Sequence, residues 1–325
     1  MTTYAGRRVL VTGGLGFIGA HLTMRLRALG ADVTVVTQSL ASHHDDAVRA
    51  SRADVRLVEA DVRDAAAMTT AVAGQDVVFS LAGRSGAVQS MEDPGADLDV
   101  NCRGALVLLE AIRAGSPSAR LVFASSRLAY GKGGEAPVDE AQQPDPLCVH
   151  AVHKLAVEHY LRIYGRTYGL EYSIARLTNP YGPGQPGDRT AYGVVNRLIH
   201  LALAGRPLPI YGDGSQRRDY IYIDDVVDAL LRLGIAPEAT GRIYNVGSGV
   251  GTSIVEMAEA ITAATGSGAL EFLEWPRLAA LVETGDFVAD TSRIRRELGW
   301  APAVGLHEGL ARTVAFYRSP LASVP

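Results

Sequence analysis

Thr12–Gly19 reads TGGLGFIG, with glycines at 13, 16 and 19 following a β-branched run and heading an amphipathic stretch. This is the spacing that brings a backbone against a pyrophosphate. Gly13 permits the tight turn, Gly16 the close approach, and Gly19 close packing of helix on strand. Phe17 and Ile18 open the helix, where free N–H groups and a partial positive charge favour phosphate. The chemistry expected of this turn is dinucleotide binding. An acid at the end of the next strand would hold the ribose hydroxyls of NAD. Thr37, Gln38 and Ser39 stand there instead, and no arginine for the extra phosphate of NADP adjoins them, although His43 and His44 lie near. NAD is the expected cofactor and NADP the alternative. Asp61 and Val62 are placed to meet the adenine; Asp61 suits a turn or helix cap equally well.

The elements that must position this turn follow from hydrophobic patterning. Arg7–Thr12, Asp32–Thr37, Val55–Glu59, Asp76–Leu81, Arg120–Ala124 and Glu171–Leu177 are short apolar runs. Such runs, alternating with helical patterns, predict an α/β fold with a doubly wound parallel sheet, of Rossmann type. Apolar spacing predicts helices over Phe17–Leu29, Asp64–Ala73, Ala96–Ala114 and His150–Tyr168. The second half is less regular, with Gly- and Pro-rich segments at Asn179–Arg189 and Gly205–Gly214. Helices are expected there over Ala191–Leu203, Asp224–Leu233, Thr252–Ala264 and Leu306–Tyr317. A smaller C-terminal substrate-binding lobe follows from that pattern. The expected division is 1–178, plus about 219–250, for the Rossmann domain, and 179–218 with about 251–325 for the lobe.

Composition narrows the classes of function. Hydrophobic residues make up 47% and charged residues 20%, which is globular rather than disordered. The formal net charge of −4 gives no basic field for nucleic acid or an anionic membrane. No apolar stretch reaches the roughly 18 residues of a bilayer span. Cys102 and Cys148 are the only cysteines. They read as reduced thiols, no zinc-type spacing is present, and no signal peptide is visible, so the cytoplasm is the expected compartment.

Several further segments keep a common order: Leu81–Pro94 (LAGRSGAVQSMEDP), Asn101–Gly104 (NCRG), Ser125–Gly131 (SSRLAYG), Arg176–Pro183 (RLTNPYGP), Tyr211–Val226 (YGDGSQRRDYIYIDDV), Asn245–Gly249 (NVGSG) and Leu298–Pro302 (LGWAP). With TGGxGFIG, they make nearly the whole chain resemble the extended short-chain dehydrogenase/reductase family, the NAD-dependent nucleotide-sugar epimerases and dehydratases. The resemblance implies hydride transfer at a sugar carbon, usually C4, between a nucleotide diphosphate sugar and NAD. It places Leu81 and Ala82 at the cofactor, and Ser85 at the substrate. It gives Lys154 the nicotinamide ribose, and Ser126 a place in the proton path. Asn179 and Arg218 take the substrate diphosphate, and Pro209 and Tyr211 line the nucleobase. The helices Ala96–Ala114 and His150–Tyr168 match the pair that forms the family's dimer interface, so a homodimer is expected.

Two departures mark the chain. PLCVHAVHK stands where the family pattern is close to PxSxYxxSK, so the catalytic tyrosine position holds His150 and the adjacent serine is His153. Positions 150 and 154 still share one helical face. An imidazole is basic and largely neutral at pH 7 without help, but its distal nitrogen falls roughly 2 Å short of a phenol oxygen on the same backbone. Three readings stay open: His150 as an altered base, another residue such as Cys148, His153 or Tyr181 handling the proton, or a silent site that binds NAD and a nucleotide sugar. His153 alone reads as a helix-surface residue, and Cys148 as a small loop residue. Arg127 and Leu128 replace the Asp–Glu pair of the 4,6-dehydratases, which argues against that reaction. An epimerase needs no such pair; a ketoreductase or a decarboxylase is the alternative on this scaffold. The second departure is Glu283, in LVETGD, where the family carries an arginine. A carboxylate there repels a diphosphate unless it points elsewhere.

Overall fold

The computed structural model describes residues 3–40, 54–134, 137–185 and 193–319. The apolar runs become a seven-stranded sheet. Its first six strands in sequence are β1 (Arg8–Thr12), β2 (Asp32–Thr37), β3 (Arg56–Glu59), β4 (Val77–Ser80), β5 (Arg120–Ser126) and β6 (Tyr172–Leu177). Next come β7 (Asn179–Tyr181), β8 (Leu208–Tyr211) and β9 (Arg217–Tyr222), which lie outside it, and β10 (Arg242–Val246), which returns to it. The spatial order is β10-β6-β5-β4-β1-β2-β3, and every neighbouring pair is parallel. The runs are near-continuously apolar because both faces are covered. Val9 and Val11 join one buried cluster and Leu10 the other, as the two-residue period of a strand requires.

The helices of the first half are α1 (Phe17–Ala28), α2 (Ala65–Val72), α3 (Ala87–Glu92), α4 (Pro94–Leu98), α5 (Gly104–Gly115) and α6 (Val149–Tyr168). Asp64 caps α2 by accepting from the N–H groups of Ala66 and Ala67. One expectation is corrected here. Ala96–Ala114 is not a single helix: α4 ends at Leu98, Asp99–Arg103 forms a π-helical turn, and α5 follows. The wider turn carries Asn101, whose Nδ2 donates to the carbonyl oxygen of Arg84 at 3.1 Å.

In the second half β7 and β9 pair in parallel, and β11 (Gly251–Ser253) adds an antiparallel edge. A separate ladder joins β8 to β12 (Leu270–Leu273). Helices span Val194–Leu203, Ile223–Ile235, Ile254–Thr265, Arg277–Leu281, Ser292–Leu298 and Leu306–Arg318. Trp300, from the LGWAP segment, is fully buried in the cluster that also holds Ile223–Ile235 side chains. Among the described residues no helix is long and apolar enough to cross a membrane.

Candidate active site

The phosphate turn is built from main chain. Gly13 has φ +71°, and a Cβ on it would sit 2.9 Å from the backbone of Ala82. Gly19 is packed harder still: a Cβ would overlap the Gly13 carbonyl oxygen and stand 2.7 Å from Gly14 Cα. A Cβ on Gly16 would meet only the Gly13 oxygen, at 3.3 Å. Gly16 is the N-cap of α1, in extended conformation, and no side chain caps the helix. The first-turn N–H groups of α1, on Phe17 and Ile18, are thereby left for an anion. Thr12 ties the turn to the end of β4: its Oγ1 donates to Phe79 O at 3.4 Å and accepts from Ala82 N at 3.3 Å. Leu81 and Ala82 thus come beside Gly13.

Farther along the sheet edge, Thr37 is buried and its hydroxyl donates to Ser39 O. Asp61 accepts from both arms of Arg63, at 2.7 and 2.8 Å, and from Gln38 Nε2 at 3.1 Å. The Arg63 guanidinium holds the Asp61 carboxyl below its usual range. Val62 packs on Gly104 at the head of α5. His43 and His44 lie outside the described residues.

The second cluster is built from side chains. Ser126 ends β5, and its Oγ accepts from Leu128 N at 3.2 Å. One layer away, α6 starts at Val149 with Cys148 as its N-cap, and the His150 N–H donates to Ser90 Oγ at 3.0 Å. One turn on, Lys154 Nζ donates to the carbonyl oxygen of Ala124 at 2.9 Å and lies 4.9 Å from the Phe123 ring centroid. Lys154 therefore bolts α6 to β5 two residues before Ser126. Burial of its ammonium lowers its pKa to about 8. A Cβ on Gly83 would meet Asn101 Oδ1 at 2.6 Å and Lys154 Nζ at 3.7 Å, so the loop after β4 reaches the same place.

His150 is only 4% exposed. Burial lowers its pKa, Asp97 opposes that, and Lys154 adds to it, so the ring is neutral at pH 7. Asp97, on α4, is the residue that the sequence alone did not single out. It is 2% exposed and lies between two imidazoles: His153 Nδ1 is 2.6 Å from Oδ1, and His150 Nδ1 is 3.5 Å from Oδ2. Burial would raise the Asp97 pKa, but the His150 and His153 imidazoles and the Asn101 amide beside it outweigh that and hold the carboxyl at about 2. Of these only His153 is hydrogen-bonded to it, and the His150 Nδ1 makes no hydrogen bond. His153 is accordingly no free surface residue but a half-buried partner of this carboxylate. Burial raises the Cys148 thiol and Cys102 alike, so neither is a ready nucleophile. Tyr181 is fully buried and its hydroxyl donates to Leu306 O, away from His150.

At the substrate end, Asn179 Nδ2 donates to Asp219 O at 2.8 Å across the β7–β9 pair. Arg218 is buried and forms an ion pair with Glu283. The carboxylate found in place of the family's arginine thus points at Arg218. Arg127, directly after Ser126, is buried close by: its Nη1 donates to Thr284 Oγ1 at 3.0 Å and its guanidinium lies 5.2 Å from the Phe287 ring centroid. Burial, with Arg218 as neighbour, lowers the Arg127 pKa to about 10. Tyr211 stacks obliquely near Trp275, ring centroids 5.5 Å apart, and Pro209 lies on β8 beside it. Trp275 belongs to no motif and was not anticipated. Ser85 is exposed in the loop after β4. Among the described residues no cluster of three or more His, Cys, Asp or Glu side chains is arranged to hold a metal.

Comparison with known proteins agrees with this geometry. The profile of the NAD dependent epimerase/dehydratase family matches residues 9–247. The chain is 38% identical to UDP-glucose 4-epimerase of Mycolicibacterium smegmatis, over 96% of this chain and 99% of that one. It is 32% identical to dTDP-L-rhamnose 4-epimerase of Burkholderia thailandensis, covering 94% and 93%. The crystal structure of Thermus thermophilus UDP-glucose 4-epimerase in complex with NAD superposes with a TM-score of 0.87 at 34% identity, covering 96% and 99%. With a seven-stranded parallel Rossmann sheet and this match along its length, the chain belongs to the NAD-dependent epimerase/dehydratase family.

Proposed function

We propose that this protein is a nucleotide-sugar 4-epimerase in which His150 replaces the usual phenol as the base. The observation that carries the reading is the His150–Lys154 pair, one turn apart on α6, with Lys154 tied to the β5 carbonyl just before Ser126. The residues present fit NAD. Gly13 and Gly19 hold a turn that any Cβ would break, α1 is uncapped, and Asn101 Oδ1 is buried without a partner beside Gly83 and Lys154. When bound, NAD supplies the hydride acceptor and donor that epimerisation at a carbinol carbon needs. Gly13, Gly16, Phe17, Ile18 and Gly19 would hold its pyrophosphate, and Thr37, Asp61, Val62, Leu81 and Ala82 its adenosine and nicotinamide ends.

His150 accepts the sugar hydroxyl proton and gives it back to the same oxygen, so the proton count is unchanged over a turnover. Ser126 hydrogen-bonds that hydroxyl. Lys154 presents its ammonium to the nicotinamide ribose and favours the neutral imidazole. Asn179 and Arg218 hold the diphosphate, Pro209 and Tyr211 the nucleobase, and Ser85 the sugar. The lobes divide as 1–178 plus about 219–250, and the remainder. Leu98, Val152, Ile163 and Tyr168 leave exposed apolar surface on and around α6, which suits a homodimer. Light scattering should then return twice the 34.4 kDa chain mass. Two buried, unpaired thiols suit the cytoplasm.

A second reading, binding without turnover, is favoured by one observation: an imidazole stands where the family's tyrosine would, and its Nδ1 makes no hydrogen bond. Turnover on UDP-, dTDP- and GDP-sugars, resolved by chromatography and mass spectrometry, separates the two, with His150→Phe beside the wild type. Conversion by the wild type and not by the variant supports the base. Conversion by both moves the base elsewhere, and conversion by neither supports the binding protein. A single product that differs in oxidation state or has lost carbon dioxide would mark a ketoreductase or a decarboxylase.

A further inference from the structure

Two histidines three residues apart on one helix present the same face, and here both lie against one carboxylate. His153 Nδ1 is bonded to Asp97 Oδ1 at 2.6 Å, while His150 Nδ1, buried and without a hydrogen bond, lies 3.5 Å from Oδ2, the nearest acidic group to it. That carboxylate is firmly placed. Asp97 sits in α4, which opens with Pro94 and is capped by Asp93, whose side chain accepts from Ala96 N. It is buried, so its charge is felt at short range with little screening. A neutral imidazole can aim its ring proton either way, and the nitrogen that faces a carboxylate is the one that carries the proton.

We propose that Asp97 is the positioning residue of this site: it holds the His150 ring with the proton on Nδ1, leaves Nε2 as the accepting nitrogen, and stabilises the imidazolium formed when the sugar hydroxyl gives up its proton. The inference rests on the reading of His150 as base. In the step itself the O–H bond breaks, an N–H bond forms at Nε2, and the same proton returns to oxygen, so no co-reactant is required. The charged and titratable groups acting on His150 are Asp97 on α4 and His153 and Lys154 on its own helix. Of these only Asp97 favours the imidazolium. The N-terminal end of α6, where His150 lies, disfavours a cation as well. Asp97 is thus the group that lets a buried histidine near a lysine and a helix N-terminus accept a proton at all.

The test uses the full chain labelled with 15N-histidine, read by long-range imidazole NMR without added ligand, and steady-state turnover of wild type and Asp97→Asn. In the wild type at pH 7, His150 should populate the Nδ1–H tautomer. In Asp97→Asn, kcat should fall on the order of 10²-fold or more, with KM changed by less than about threefold. The acidic limb of the kcat profile should move to lower pH, because a carboxylate that favoured protonation is gone. A purely structural role would lower thermal stability and leave that limb in place. An Nε2–H tautomer in the wild type, or an unmoved limb with kcat within about threefold, overturns the proposal. The wild-type tautomer decides the matter even if Asp97→Asn fails to fold. Turnover retained by His150→Phe would defeat the base reading itself. A wrong tautomer, with turnover lost in His150→Phe, would defeat only the role of Asp97.

Discussion

The Gly13–Gly19 turn and the His150–Asp97–His153 cluster lie at the same sheet edge, yet they are specified in different ways. At the turn the working groups are backbone N–H donors, and what matters is the absence of side chains. At the cluster the backbone only delivers side chains, and the chemistry depends on which imidazole faces which carboxylate. The first kind of site tolerates almost no change in a few adjacent positions. The second can exchange a phenol for an imidazole if a neighbour on another element compensates.

The sharpest way to break the comparison is Gly19→Ala. Its Cβ would meet the backbone of Gly13 and Gly14, which cannot yield without opening the β1–α1 turn. The expected loss is about 3 kcal/mol of stability together with NAD affinity, read by thermal unfolding and cofactor titration. Lys154→Ala comes next: kcat should fall roughly 10²- to 10⁴-fold in a folded protein, because the ammonium and its Ala124 bond are both removed.

The pH dependence of Lys154 sharpens the point. Its pKa is about 8 in the fold against an ordinary 10.5 for a lysine, so between those pH values the unfolded chain binds more protons than the native one. Stability should therefore rise with pH across that window, while turnover falls above about pH 8 as the ammonium is lost. Denaturation midpoints and kcat measured over the same range would show the two moving in opposite directions.

At the substrate end the expected effects are smaller and of opposite sign. Arg218→Ala should raise KM about tenfold, the size of one charged hydrogen bond. Glu283→Gln should lower KM by about threefold, because it frees Arg218 from a partly exposed ion pair. The smallest change belongs to Asp61→Asn. Its carboxylate is already engaged by Arg63 and Gln38, so NAD affinity should shift by less than about threefold.

The sheet strands were legible because a doubly covered strand writes itself as a continuous apolar run, and β1, β2 and β4 fall within one residue of the expected limits. Ala96–Ala114 was misread as one helix because a π-helical turn keeps the apolar spacing nearly unbroken while adding one residue to a turn. Asp97 carried no local signal. The one hint lay elsewhere, in two histidines three residues apart that share a helix face and can meet one neighbour. Trp275 beside Tyr211 was invisible for the same reason, since the two rings meet only through folding.

By itself the sequence determined the Rossmann sheet, the phosphate turn and the family. Each depends on residues close together in the chain, where sterics and period act directly. Only the tertiary structure decided that α4 carries a buried carboxylate to His150 and His153, and that Glu283 closes on Arg218. Those contacts join distant segments, and a charge's effect depends on distance and burial, which spacing along the chain does not encode.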